Sequence, residues 1–189
     1  MAHQYTKKLI QDTFIKMLNE RPLKRITVKD LTIACDLNRN AFYYYYADIY
    51  ELLSEIFRTE LQAVIDEYNQ TLSWEKSFMV ATKLALNNKT ALYHVYDSMQ
   101  REELTSYIFN TSGNIMEKYV EHESEQLEAL NQDKQLITSF YQCALTGMVL
   151  HWIETGMKED PEQVIKRVGY LFDGNIQASL LRSSHSPRI

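Results

Sequence analysis

Cysteine, proline and glycine are all scarce: 2, 3 and 5 of them respectively in 189 residues. Two thiols, Cys35 and Cys143, make no disulfide framework. The chain is therefore expected in a reducing cytoplasm, with both thiols as core filler. So little proline and glycine excludes a collagenous or linker-rich polymer and a fold of many turns. Long apolar runs are missing as well. The longest nearly apolar stretch, Ala144 to Ile153, is interrupted by Thr146, Gly147 and His151 and falls short of the roughly 20 residues a spanning helix needs. No basic segment followed by an apolar one opens the chain, so no export signal is expected. Glycine-rich phosphate loops, a GxSxG elbow, a CxxC pair and HExxH are absent, and no Glu precedes a His by three residues. The ligand pair of a di-iron helical bundle is thus lacking. The histidines at 94, 122 and 151 fall in separate predicted helices. No catalysis, metal or cofactor is expected.

What is present is helical. Apolar residues make up 45% of the chain and charged ones 24%, enough for a soluble core in one compact unit or two small ones. Ile10, Phe14, Met17 and Leu18 share one face of a first helix that must stop at Arg21-Pro22, because the residue before proline is pushed out of helical geometry. Thr27 and Asp30 are spaced as a capping box for a second, short helix. Cys35-Asp36-Leu37 breaks it, Asn38 can cap a third helix through Tyr45, and Asp48 with Glu51 opens a long fourth helix to about Gln70. Further helices are predicted over 74–87, 90–99, 102–122, 133–155 and 161–181. Gly156 is the expected stop before Asp160-Pro161, which starts the last one.

Charge is uneven. Residues 1–47 carry eight Lys and Arg against four acids, whereas 48–189 carry twelve against twenty-one. A basic head on an acidic body can bind phosphate locally. Two short helices joined by a tight turn on that head form a helix-turn-helix pattern, whose second helix enters the major groove of DNA. Leu31, Ala34, Leu37, Phe42 and Tyr46 are its expected core. Asn38, Arg39, Asn40, Ala41, Tyr43, Tyr44 and Tyr45 are then the candidates to meet DNA. Arg39 can place a bidentate fork on guanine and Ala41 a methyl on thymine. Tyr43, Tyr45, Thr27 and Lys29 are suited to phosphates, by hydroxyl or by charge.

Ile26-Thr27-Val28-Lys29-Asp30-Leu31, Leu37-Asn38-Arg39, Phe42-Tyr43-Tyr44-Tyr45-Tyr46, Asp48 and Glu51-Leu52-Leu53 together resemble the N-terminal signature of TetR/AcrR-type bacterial transcription regulators. Phe140-Tyr141, Ala144-Leu145, Gly147, Trp152 and the run Gly156 to Glu162 resemble the C-terminal body of a subgroup that includes regulators of dihydroxyacetone-kinase operons. The resemblance implies an all-helical dimer that binds double-stranded operator DNA and whose body senses a small-molecule effector or a protein partner. Four positions depart from that pattern. Asp36 stands where the turn commonly has glycine, Asn40 where a small residue is frequent, Tyr45 for a histidine and Ile49 for a phosphate-binding lysine.

The expected fold is all-α with about nine helices. Its parts are a DNA-binding head (1–47), a sensing and dimerisation body (48–182) and a loose tail (183–189). Phe140, Ala144, Gly147 and His151 recur at helical spacing with small residues in the middle, which suits a symmetric interface; Gly147 can equally ease packing within one chain. Tyr93, His94, Tyr107, Tyr119 and Tyr141 are the candidate ligand residues of the aromatic-rich body, with a simple packed core as the alternative for any one of them. The expected function is a ligand-responsive repressor. A co-regulator acting through a second regulator is the alternative.

Overall fold

The computed structural model describes residues 2–98 and 100–185, so Met99, named near the candidate aromatics, and the end of the expected tail lie outside the described residues. All regular structure among the described residues is helical. The order is α1 (Ala2–Glu20), a 3₁₀ turn (Leu23–Arg25), α2 (Val28–Ala34), α3 (Arg39–Tyr43), α4 (Ile49–Thr71), α5 (Trp74–Asn87), α6 (Lys89–Tyr96), α7 (Arg101–Ser124), α8 (Asn131–Glu154), α9 (Pro161–Phe172) and α10 (Asn175–Ser184). The chain divides into two compact units, Met1–Glu60 with Leu84–Leu104, and Leu61–Lys83 with Thr105–Ile189.

In the first unit the starts of α2, α3 and α4 are fixed by local hydrogen bonds. The Asp30 amide donates to Thr27 Oγ1 at 3.2 Å, and the Thr27 amide donates back to the Asp30 carboxylate at 3.2 Å, the reciprocal box that occupies two free amides. The Ala41 amide donates to Asn38 Oδ1 at 2.8 Å. The Tyr50 and Glu51 amides both reach Asp48 Oδ1 at 2.8 Å. Helix α3 ends at Tyr43, short of the expected Tyr45, because the Tyr45 amide turns in to the Phe42 carbonyl at 2.9 Å. Leu31 and Phe42 are fully buried, with Tyr46, Ile10, Phe14 and Leu53 around them in the unit's core. Two expected core members differ: Ala34 is exposed and Leu37 only half-buried, and Cys35 takes the inward place beside the Leu9 carbonyl. Helix α6 packs on α1. There Asn19 Oδ1 accepts from the Ala91 amide at 3.2 Å, and the His94 ring meets the Leu18 carbonyl at 2.6 Å.

The turn between α2 and α3 holds Asp36 at φ +52°. The Leu37 amide donates to the Thr32 carbonyl at 2.8 Å and the Asp36 amide to the Ile33 carbonyl at 3.2 Å, a Schellman cap that normally takes glycine. Left-handed geometry costs a side-chain-bearing residue about 1–2 kcal/mol, and glycine's extra freedom in the unfolded chain returns about half of it. Asp36→Gly is therefore expected to stabilise the head by about 0.5–1 kcal/mol. Thermal melts of the two proteins check this, and a fall in Tm for Asp36→Gly contradicts it.

In the second unit α8 ends in the same motif. The Met157 amide donates to the Trp152 carbonyl at 2.8 Å, Gly156 sits at φ +92°, and the Trp152 indole donates to the Glu159 carbonyl at 3.0 Å. The expected last helix, 161–181, is two helices broken at Asp173-Gly174, where Gly174 takes φ +69°. The tail also differs from expectation. Ser183 belongs to α10 and is buried, with its hydroxyl donating to Asp133 at 2.6 Å and accepting from the Leu130 amide at 3.0 Å. Cys143 is exposed rather than core filler. By length and composition alone α8 would also suffice to cross a bilayer, because uncharged polar residues extend the run beyond the nearly apolar Ala144–Ile153.

Candidate functional site

Phe42 turns the amphipathic α3 inward and leaves its other sides open. The Phe42 ring is fully buried and packs on Tyr46 at 5.7 Å between centroids, whereas Tyr43 and Tyr44 are 54% and 70% exposed. Arg39 and Asn40 are exposed in the first turn, Ala41 and Tyr45 are half-buried, and Tyr46 is core. The Tyr46 hydroxyl accepts from Gln11 at 3.1 Å, Lys7 lies over its ring at 5.7 Å, and Lys7 pairs with Glu55. Burial, with Glu55 beside it, pushes the Tyr46 phenol up.

Two of the named DNA candidates are already engaged. The Asn38 side chain holds the α3 cap, and Thr27 Oγ1 donates to Asp30 at 2.8 Å. Thr27, with Arg21 and Lys29 adding attraction, keeps the Asp30 carboxyl below the usual range. Lys24, Arg25 and Lys29 are exposed around this corner. Ile33, exposed on α2, was not anticipated; it stands at a position where the helical pattern alone assigns no face.

The second unit presents an apolar surface and a cavity. On α8, Leu136 and Phe140 are 69% and 66% exposed, and Ala144, Gly147, Met148 and His151 continue the exposed face. A Cβ placed on Gly147 would meet nothing within 4 Å. Packing within the chain therefore does not require glycine there. Tyr170, Leu171 and Phe172 of α9 and Leu181 of α10 are exposed too. Sequence periodicity singled out none of these last four; for Leu181 the break at Gly174 resets the helical phase.

The candidate ligand residues do not form one set. Tyr119 and Tyr141 line a cavity of about 360 Å³. Tyr107 is not among its walls. Tyr93 and His94 belong to the first unit, where α6 packs against α1 and the His94 ring meets Leu18. Burial pushes the Tyr119 phenol up to about 12, with Glu123, Glu75, Tyr68 and Asp173 adding to it. Burial also raises Tyr141. A smaller cavity, about 110 Å³ and lined by Phe78, Leu145, Trp152, Val164 and Ile165 among others, shares Trp74 with the first. Among the described residues no group of three or more His, Cys, Asp or Glu side chains is placed to hold a metal ion.

Residues 72–174, more than half of the chain, match the TetR-type family described as "Transcriptional regulator C-terminal region". The chain belongs to the TetR family of transcription regulators. It is 22% identical over 164 residues to the HTH-type transcriptional regulator YxbF of Bacillus subtilis (strain 168), a match covering 83% of this chain and 42% of that protein. The chain thus spans about two fifths of the length of that curated relative. The solved structure of the dihydroxyacetone kinase operon activator DhaS has the same fold, with a TM-score of 0.75, 18% identity, and coverage of 92% of this chain and 97% of that one.

Two departures from the TetR signature now have a physical setting. Asp36 occupies the left-handed turn that glycine would fill. Ile49, where the pattern has lysine, is only 8% exposed and belongs to the core of the first unit. Aliphatic packing replaces a surface charge there, and Arg58 and Arg39 are the nearest exposed cations in sequence.

Proposed function

We propose that this TetR-family regulator is a cytoplasmic homodimer that binds double-stranded operator DNA and is released by a small ligand, acting as a repressor. Residues 1–47 serve as the DNA-binding head, and 48–182 as the sensing and dimerisation body. One observation carries this: on a basic head, the Asn38-capped α3 buries Phe42 and turns Arg39, Asn40, Tyr43 and Tyr44 outward. That arrangement suits a recognition helix in the major groove, with Arg39 on a base edge and Lys29 and the tyrosines on phosphates.

The exposed face of α8 with the apolar ends of α9 and α10 supports a second copy as its cover, since a patch of this kind on a soluble chain marks an interface. A two-fold pair of heads would read half-sites about 34–36 Å apart, or a multiple of that. Helix α4 runs without a break from Ile49 in the first unit to Thr71 in the second, so a ligand that shifts the body can act on the head through it.

Arg39→Ala is expected to cost about 1–3 kcal/mol on the preferred duplex and to relax discrimination at one base pair. Lys29→Ala is expected to weaken all duplexes alike and lower the salt dependence by about one counterion. Anisotropy titrations against single-base variants of the duplex check both. Wild-type affinity and selectivity in Arg39→Ala would remove α3 from the recognition role.

A further inference from the structure

The 360 Å³ cavity is walled by aromatic rings of Trp74, Tyr119, Phe140, Tyr141 and Phe172. Its charged lining residues are Glu75 from α5, Glu123 from α7 and Asp173 at the break between α9 and α10. No Lys, Arg or His lines it among the described residues. The three acids come from three separate elements, and after burial all three help to raise the Tyr119 phenol. Glu75 is held in place by the Ser73 hydroxyl at 2.9 Å, and Gly169 of α9 leaves it room: a Cβ there would stand 3.1 Å from Glu75 Oε1. Tyr68 is 2% exposed, its hydroxyl has no hydrogen-bond partner, and it lies within electrostatic range of both Glu123 and Tyr119.

Glu75 and Glu123 are half-buried and Asp173 is exposed, so three carboxylates from separate elements stand around one aromatic cavity, and a positive charge bound there would gain from all three. Inorganic cations prefer six or more oxygens with little hydrocarbon nearby, whereas these walls are mostly ring faces. Ring faces and carboxylates together suit a cation carried on an organic skeleton. An anion would meet three like charges, and a neutral guest would gain nothing from them.

We infer that this cavity binds an organic cation of the ammonium class, its charge held by Glu75, Glu123 and Asp173 and its skeleton stacked between Trp74, Tyr119 and Phe172. This rests on the body being the sensor of a DNA-binding regulator.

The test is calorimetric titration of the full chain with three isosteres: benzyltrimethylammonium, uncharged neopentylbenzene and benzylsulfonate. Benzyltrimethylammonium is expected to bind at least about tenfold more tightly than the uncharged probe, and the sulfonate not at all. Glu123→Gln/Asp173→Asn is expected to remove that tenfold preference while keeping its melting transition, and Glu75→Gln to reduce it. Equal binding of the charged and uncharged probes overturns the cation assignment and leaves a plain apolar pocket. Cation binding that the carboxamide variants leave unchanged moves the site elsewhere, and binding of no probe at millimolar concentration overturns it outright. Duplex affinity is measured on the same samples. Retained DNA binding with no cation selectivity defeats this inference alone. Selective cation binding that leaves duplex affinity unchanged at saturation, or a protein with no duplex affinity, defeats the regulatory reading and leaves the cation site standing.

Discussion

Gly147→Glu is expected to leave the protein monomeric at micromolar concentration, where the wild type is expected to sediment as a dimer. Gly147 lies in the middle of the exposed α8 face, between Phe140 and His151, and an added side chain there meets nothing in its own chain. The substitution therefore spares the fold of the monomer. Across a two-fold axis each copy contributes the same residue, so two carboxylates enter one apolar contact. Each buried, unpaired charge costs several kcal/mol, more than such an interface can absorb. The consequence for DNA is larger still. Two linked heads gain about 10²- to 10⁴-fold in avidity over one head, and the monomer forfeits that gain. Sedimentation and a melting curve on the same sample separate the outcomes. A Gly147→Glu protein that remains fully dimeric removes the α8 face from the interface. A wild type that is monomeric alone but pairs with another regulator assigns the face to a heterologous partner, and one that sediments only with vesicles assigns it to lipid.

Phe42→Ala is expected to destabilise the head by about 3–5 kcal/mol, the usual cost of emptying a fully buried aromatic site. Phe42 is 0% exposed and touches Tyr46 and Tyr43 at 5.7 and 5.6 Å between ring centroids. It is what holds the five-residue α3, too short to persist alone, against its neighbours. Tyr44→Ala, two residues along the same run and largely exposed, is expected within about 0.5 kcal/mol of wild type. Chemical denaturation followed by circular dichroism compares the two. Equal stabilities would mean that α3 is not anchored through Phe42.

The parts of the fold legible from sequence are those decided within a few residues. Thr27 with Asp30, Asn38, Asp48 and Asp160 each cap a helix by hydrogen bonds that span two or three positions, and such bonds depend on little beyond the local chain. Gly156 ends α8 for the same local reason. Asp173-Gly174 is a turn signal, but one helix over 161–181 takes no account of it, and the chain breaks there. Burial is a different matter. Ala34 and Cys35 are adjacent at the C-terminal end of α2 and both small, and Cys35 is the one that faces inward, beside the Leu9 carbonyl of α1. The aromatic residues of the body separate by packing too: His94 goes to α1, while Tyr119 and Tyr141 border the cavity. Its acids were invisible to pattern reasoning because Glu75, Glu123 and Asp173 lie roughly fifty residues apart in sequence and each reads as a solvated charge.

The central claim is that this chain reads DNA as a symmetric pair through α3. Selection of bound duplexes from a random-sequence pool by the purified full chain, alongside Arg39→Ala, tests it most directly. Two inverted half-sites about one helical turn apart, or a multiple of it, are expected to be enriched, with Arg39→Ala losing preference at one base pair in each half. A pool that shows no enrichment over its input at low salt, or an enriched motif that Arg39→Ala selects unchanged, would contradict it.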